Sequence, residues 1–316
     1  MPEPLAFLNG QWIPASAATI PVGDAGFVQG ATVAEQLRTF RGKIFHLDDH
    51  LARLAHSLKI VGIDIGLSPD RLAETAQELV AHNHALLDEG DDLGLSIFAT
   101  PGAYPAYAAC EKTEPDDSPN LPSPTLCLHT YPLPFRLWAR KYRAGQVLAT
   151  TDVQQVPSAC WPANLKCRSR MHYYLADRRA AAIEPGARAL MLDAEGYVTE
   201  ASTANVLIHT PTEGLVSPWA QKILPGISLS TVVELARRLG IVWTERDLTV
   251  GDVASAGEVL LTSTPLCLLP VTRLNGQPIG DGVPGEIFGR LLTAWSRLVG
   301  LEIAEQAEQF SWRTAS

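Results

Sequence analysis

Asn164-Leu165-Lys166-Cys167-Arg168-Ser169-Arg170-Met171-His172-Tyr173-Tyr174-Leu175 places one lysine just ahead of a segment that turns helical. The chain holds only six lysines, Lys43, Lys59, Lys112, Lys141, Lys166 and Lys222, among 25 basic residues. Arginine stays protonated, whereas a desolvated lysine can lose its proton and attack a carbonyl to form a Schiff base. Any imine chemistry in this chain therefore falls to one of these six. Taken alone, Lys166 reads as an ordinary surface charge, the usual place for a lysine.

The remaining sequence sets the frame around that lysine. A length of 316 residues predicts two modest domains or one large one, and 46% hydrophobic residues can bury a substantial core. A net charge of −9 argues against nucleic acid as a main partner, because phosphate backbones call for basic patches. No apolar run is long enough to span a bilayer, and the start MPEPLAFLNG lacks signal-peptide character. The five cysteines, Cys110, Cys127, Cys160, Cys167 and Cys267, are odd in number and show no CxxC spacing, so neither a disulfide framework nor a zinc site is expected. His46, His50, His56, His82 and His84 show no metal motif, and no metal is expected. A cytoplasmic protein acting on small molecules is the expectation.

The pattern predicts strands and helices in both halves. Asn9-Gly10 marks a hairpin between Leu5–Leu8 and Gln11–Ile13. Ala31–Phe40 and Lys43–Phe45 read as strands. A helix follows, capped by Asp48, with Leu51, Leu54, Ala55 and Leu58 on its buried face and Arg53 on its polar side. Ser68-Pro69 opens a second helix with Leu72, Ala76, Leu79, Val80 and Leu87 buried. Leu93–Thr100 and Thr125–Tyr131 read as strands, separated by a long loop over 101–124. Residues 132–137 form a linker, which gives domains 1–131 and 138–316. In the second, helices are expected over Met171–Ile183, Gly226–Leu239 and Pro284–Val299, and strands over Gln146–Thr151, Ala187–Asp193, Tyr197–Glu200, Asn205–His209, Ile241–Arg246 and Glu258–Ser263. Asn275-Gly276 is another hairpin turn. So many short strands point to a barrel-like α/β domain rather than a doubly wound sheet.

Several stretches can carry chemistry. Leu224-Pro225-Gly226-Ile227-Ser228 opens a helix whose unpartnered N–H groups and dipole suit a phosphate, or it is a plain helix start. Thr262-Ser263-Thr264-Pro265 ends a strand, where hydroxyls complete an anion site or cap a turn. Glu200 closes another strand and can pair with a buried cationic ligand or stand as an edge charge. Arg53, on its own, is a solvated charge. No GxSxG elbow is present.

In order, these stretches resemble the fold-type IV pyridoxal-phosphate enzymes, the class IV aminotransferases. That family includes branched-chain aminotransferase, D-amino acid aminotransferase and aminodeoxychorismate lyase. The resemblance runs through Ile20–Phe27, Asp49–Leu54, Asn164–Lys166, Gly196–Glu200, Leu224–Ser228 and Thr262–Thr264, ahead of Leu269–Val271. It implies a two-domain α/β (α+β) fold, a small N-terminal domain and a larger barrel-like one.

It also implies pyridoxal 5'-phosphate as cofactor. Lys166 would hold it as a Schiff base and move the substrate proton. Glu200 would keep the pyridine nitrogen protonated. Gly226, the backbone of Ile227 and Ser228, the Ser228 hydroxyl, Thr264 and Arg53 would bind the phosphate, and Leu224 would pack on the ring. The implied activity is ping-pong transfer of an amino group between a small amino acid, of D-amino acid or branched-chain type, and a 2-oxo acid. A lyase of the aminodeoxychorismate type is the alternative, and a non-catalytic binding protein on the same fold a distant one. A homodimer with shared sites is implied, with no nucleic-acid or membrane partner.

Two departures concern the substrate. Met171 stands five residues after the lysine, where branched-chain enzymes carry tyrosine, and Arg170 is similar to the lyase. No arginine lies between Leu72 and Arg136, where relatives grip a carboxylate, and Pro265 removes a backbone N–H used by some of them. Arg38, Arg168 and Arg170 are the candidate replacements.

Overall fold

The structure is a computed structural model and describes residues 3–108 and 123–312. The chain divides into two compact units, Met1–Leu133 with Leu165–Ser169, and Pro134–Asn164 with Arg170–Ser316. The expected second domain, unbroken from 138, thus loses the segment that carries Lys166. Backbone pairing explains why: the Ala34 N–H donates to the Lys166 carbonyl (3.1 Å) and the Arg168 N–H to the Thr32 carbonyl (2.8 Å).

The first unit is a six-stranded antiparallel sheet. Its strands are β1 (Leu5–Leu8), β2 (Gln11–Pro14), β3 (Val33–Phe40), β4 (Lys43–Ile44), β5 (Leu93–Thr100) and β6 (Thr125–Pro132), in the order β2-β1-β6-β5-β3-β4. The Asn9-Gly10 turn has both residues left-handed, at φ 49° and 86°, as a two-residue hairpin requires. Strand side chains alternate between faces. Val33, Leu37, Leu95, Ile97, Ala99, Leu126 and Leu128 point to one face, and the helices Leu47–Val61 and Pro69–His84 close over them in a single apolar core. Leu165 packs against this core.

The helices differ from expectation in four places. The first starts at Leu47, so Asp48 lies in its first turn and is not its cap. Ala55 is exposed, and Arg53 is buried on the sheet-facing side rather than solvated. Leu87 lies beyond the end of the second helix, which Ser68 caps by accepting the Arg71 N–H (3.2 Å). Part of the expected 101–124 loop is a helical turn, Pro105–Ala108, and residues 109–122 lie outside the described ones.

The second unit is built on a barrel. Its strands are β7 (Gln146–Thr150), β8 (Arg188–Leu192), β9 (Val198–Ala201), β10 (Ala204–Thr210), β11 (Gly214–Ser217), β12 (Trp243–Glu245), β13 (Glu258–Ser263), β14 (Cys267–Leu274) and β15 (Gln277–Pro278). The path β10-β13-β14-β7-β8-β9 returns to β10 through a β9–β10 pairing, so these strands close a ring and leave no free edge between them. β11 and β12 extend the sheet from β10, and β15 pairs β14 through the Asn275-Gly276 turn. The helix Met171–Ile183 lies against β7 and β8 on small residues, Ala176, Ala180, Ala149 and Ala189. The helix Ile227–Arg238 packs its buried Leu229, Val232, Leu235 and Ala236 inward, and the helix Glu286–Val299 does so with Ile287, Phe288, Leu291 and Trp295. Among the described residues, no helix is long and apolar enough to cross a membrane.

Candidate active site

The expected site residues fall into two groups. Arg38, Arg53, Lys166 and Arg168 belong to the first unit, and Arg170, Glu200, Leu224, Gly226, Ile227, Ser228 and Thr264 to the second.

In the second unit, Glu200 is buried at the end of β9. Its Oε1 accepts from the Leu224 N–H (2.9 Å) and from Asn205 Nδ2 (3.1 Å). Its Oε2 accepts from the Tyr173 hydroxyl (3.0 Å) and, at the limit, from Gln155 Nε2 (3.4 Å). Burial, and then the Glu200 charge, push the Tyr173 hydroxyl well above its ordinary range, so it keeps its proton and donates. Asn205 also donates to the Leu224 carbonyl (3.0 Å). This one amide therefore ties the carboxylate to the segment that starts the 227–238 helix.

That helix begins at Ile227 with Gly226 as its N-cap and no side-chain cap. A side chain on Gly226 would collide with Asn205 Oδ1, so only glycine allows this approach. Ser228 is buried in the first turn. The first-turn N–H groups of any helix lack internal partners and favour an anion. Thr264 sits in the turn between β13 and β14, half-buried. The neighbouring Thr262 hydroxyl donates to the Cys267 carbonyl (2.7 Å), so that hydroxyl serves the turn. Cys267 holds a left-handed φ of 62° there. Arg170 occupies the cap position of the 171–183 helix, half-buried, with no side-chain cap bond.

In the first unit, Arg53 grips Glu35 with two parallel bonds, Nε to Oε1 and Nη2 to Oε2, both 2.7 Å. His50 Nδ1 shares Glu35 Oε2 at 2.7 Å. Burial alone would raise the Glu35 carboxyl, but Arg53 and His50 outweigh it and bring it from 4.5 down to about 2. Burial lowers His50 below its ordinary 6.5, and its Nε2 is buried without a hydrogen-bond partner. His50 is therefore neutral and donates from Nδ1. The side of Arg53 that carries Nε and Nη2 is thus committed to Glu35, and any phosphate contact must use the rest of the guanidinium. Lys166 is half-buried, and its N–H donates to the buried Ser57 hydroxyl (3.2 Å). Arg38 is fully buried, with its guanidinium 4.0 Å from the centre of the Phe40 ring. Arg168 is exposed and donates from Nη2 to Ser96 Oγ (2.9 Å).

Sequence reading missed Tyr173, Gln155, Asn205, Glu35, His50 and Ser57. Asn205 had a signal, since it lies five residues after Glu200, across a two-residue turn. The others meet their partners only through tertiary packing.

Residues 32–274 match the family described as amino-transferase class IV. The chain belongs to this family. A class IV aminotransferase transfers amino groups with pyridoxal phosphate, and this chain is such an enzyme. It is 28% identical over 300 residues to the D-alanine aminotransferase of Bacillus licheniformis, covering 94% of this chain and 98% of that one. A branched-chain amino acid aminotransferase of T.th., solved with pyridoxamine 5'-phosphate, superposes with a TM-score of 0.81 at 25% identity over 95% of each chain. That of Escherichia coli reaches a TM-score of 0.82 at 21% identity over 98% of each, which is a likeness of fold.

Proposed function

We propose that this class IV aminotransferase holds pyridoxal 5'-phosphate with Lys166 and Glu200 and exchanges an amino group between a small amino acid and a 2-oxo acid by a ping-pong cycle. One observation carries the reading: Asn205 Nδ2 bridges Glu200 Oε1 and the Leu224 carbonyl, beside the uncapped helix start at Gly226–Ser228. The buried carboxylate and the helix start are thereby fixed together, which supports a ring nitrogen at the first and a phosphate at the second. The fit is supported by Gly226, where any side chain would push the helix start away from Asn205 and the carboxylate it holds.

When bound, the cofactor supplies the electron sink that makes the substrate α-hydrogen removable. The chain's residues do the rest. Lys166 would anchor the cofactor aldehyde and, with its amine free, would carry the proton between the substrate α-carbon and the cofactor C4′. Glu200 would hold the ring N–H, and Tyr173 and Asn205 hold Glu200. The N–H groups of Ile227 and Ser228, the hydroxyls of Ser228 and Thr264, and Arg53 would bind the phosphate, while Leu224 would rest on the ring. We also propose a cytoplasmic homodimer, from the family resemblance.

Replacing Lys166 by alanine is expected to remove the visible absorption of the lysine-bound cofactor and to stop amino transfer. Wild-type protein that shows no such absorption after cofactor is added contradicts the reading. An amino donor alone is expected to convert the bound cofactor to its pyridoxamine form. Release of pyruvate without that conversion would instead mark a lyase.

A further inference from the structure

The face of the first unit's sheet that turns away from its helices is polar at its centre. Strand register puts Gln36, Ser96 and His129 in one row and Arg38, Gly94 and Tyr131 in the next. The side chains in these rows are bound to one another. Ser96 Oγ accepts from Gln36 Nε2 (2.8 Å) and from Arg168 Nη2 (2.9 Å). The Tyr131 hydroxyl donates to Gln36 Oε1 (2.8 Å). Gly94 makes this possible, because a Cβ there would run into the Tyr131 ring. Burial raises the Tyr131 hydroxyl to about 12 in spite of Arg168 and Arg38, so it stays a donor. Burial and then Arg168 lower His129, which leaves the arginines as the cationic groups of these rows.

Backbone register directs Lys166 toward the same side as Arg168. Cys167 bridges Val33, and hydrogen bonds flank the bridge at Lys166 and Arg168. Side chains on either side of a bridged residue leave together, opposite to it. The bond from Arg168 to Ser96 identifies that side as the polar face. Two residues of chain span at most about 7 Å. An amine and a carboxylate on one small substrate fall within reach of a lysine and an arginine so spaced.

We propose that Arg168, docked on Ser96, is the residue that grips the substrate carboxylate, and that this wall selects small or acidic amino acids and 2-oxo acids over branched aliphatic ones. The proposal rests on the reading of the chain as an aminotransferase built on Lys166. Residues 73–135 hold no arginine, and Arg38 is fully buried against Phe40, so the lysine segment itself supplies the exposed cation. A guanidinium offers a carboxylate two parallel donors. A branched aliphatic side chain laid against Gln36, Ser96 and Tyr131 would desolvate polar groups and return no hydrogen bond, which costs binding.

The test uses the cofactor-loaded enzyme with pyruvate, 2-oxoglutarate and 3-methyl-2-oxobutanoate as acceptors. Wild type is expected to favour the first two in kcat/KM. R168Q should raise their KM about tenfold or more while the cofactor absorption stays unchanged, since a charge-assisted hydrogen bond of this kind discriminates by that much. R168K should recover part of the loss, and S96A should raise KM in the same direction by less. An unchanged KM in R168Q, or a wild-type preference for the branched acceptor, overturns the proposal. Failure of the wild type to bind cofactor at all would instead overturn the underlying aminotransferase reading.

Discussion

Each unit buries a glutamate at the centre of a hydrogen-bond network, and the two networks are built from opposite materials. Glu35 is held by a guanidinium in a two-bond fork and by His50. Glu200 accepts from two side-chain amides, a backbone N–H and a phenol. The first set neutralises its carboxylate, while the second set orients its carboxylate with neutral dipoles. Arg53 with Glu35 is therefore read as a structural brace under the lysine segment, and Glu200 as a carboxylate prepared for a cationic ring N–H.

Substitutions and acid should separate the two networks. Arg53→Ala leaves Glu35 buried without its fork and is expected to cost about 3–5 kcal/mol, read as a lower denaturant midpoint. An unchanged midpoint would remove the brace. Gly226→Ala forces the helix start away from Asn205 and is expected to cost about 1–3 kcal/mol as an overpacked contact, together with weaker cofactor binding in a titration. Acid adds a graded effect. Unfolded His50 takes a proton near 6.5, but folded His50 does so only at lower pH. Between those values the unfolded chain binds the extra proton, so stability falls as pH drops below about 6.5. Glu35 adds a second decline, starting near its ordinary 4.5 and complete once pH has passed about 2. Thermal midpoints measured from pH 8 downward should show the first decline, and His50→Asn should flatten it.

The sequence made some of this legible and hid the rest for physical reasons. Strands over Leu93–Thr100 and Glu258–Ser263 and the helix over Met171–Ile183 follow local periodicity and have the expected bounds. Both Asn-Gly turns follow from the left-handed backbone they demand. Arg53 was misplaced because a helical wheel assigns a charge to solvent and cannot see Glu35, which lies on another element. β11 and the short helix Val250–Ser255 were missed because neither is long enough to show a period. The return of Leu165–Ser169 to the first unit depends on pairing with residues more than a hundred positions earlier, which no window of sequence contains. In the site, Lys166 and Glu200 stood out by residue type and motif. Tyr173 did not, because its role appears only when the 171–183 helix packs on the barrel beside Glu200.

We read Glu200 as an oriented carboxylate for the cofactor ring rather than a structural ion. Glu200→Gln tests it most directly, because glutamine keeps the size and one acceptor oxygen while removing the charge. The variant is expected to fold and still bind cofactor at Lys166, but to transfer amino groups slower by on the order of 10²–10³, the loss typical of a displaced electrostatic partner. Transfer at the wild-type rate with the cofactor bound would contradict it.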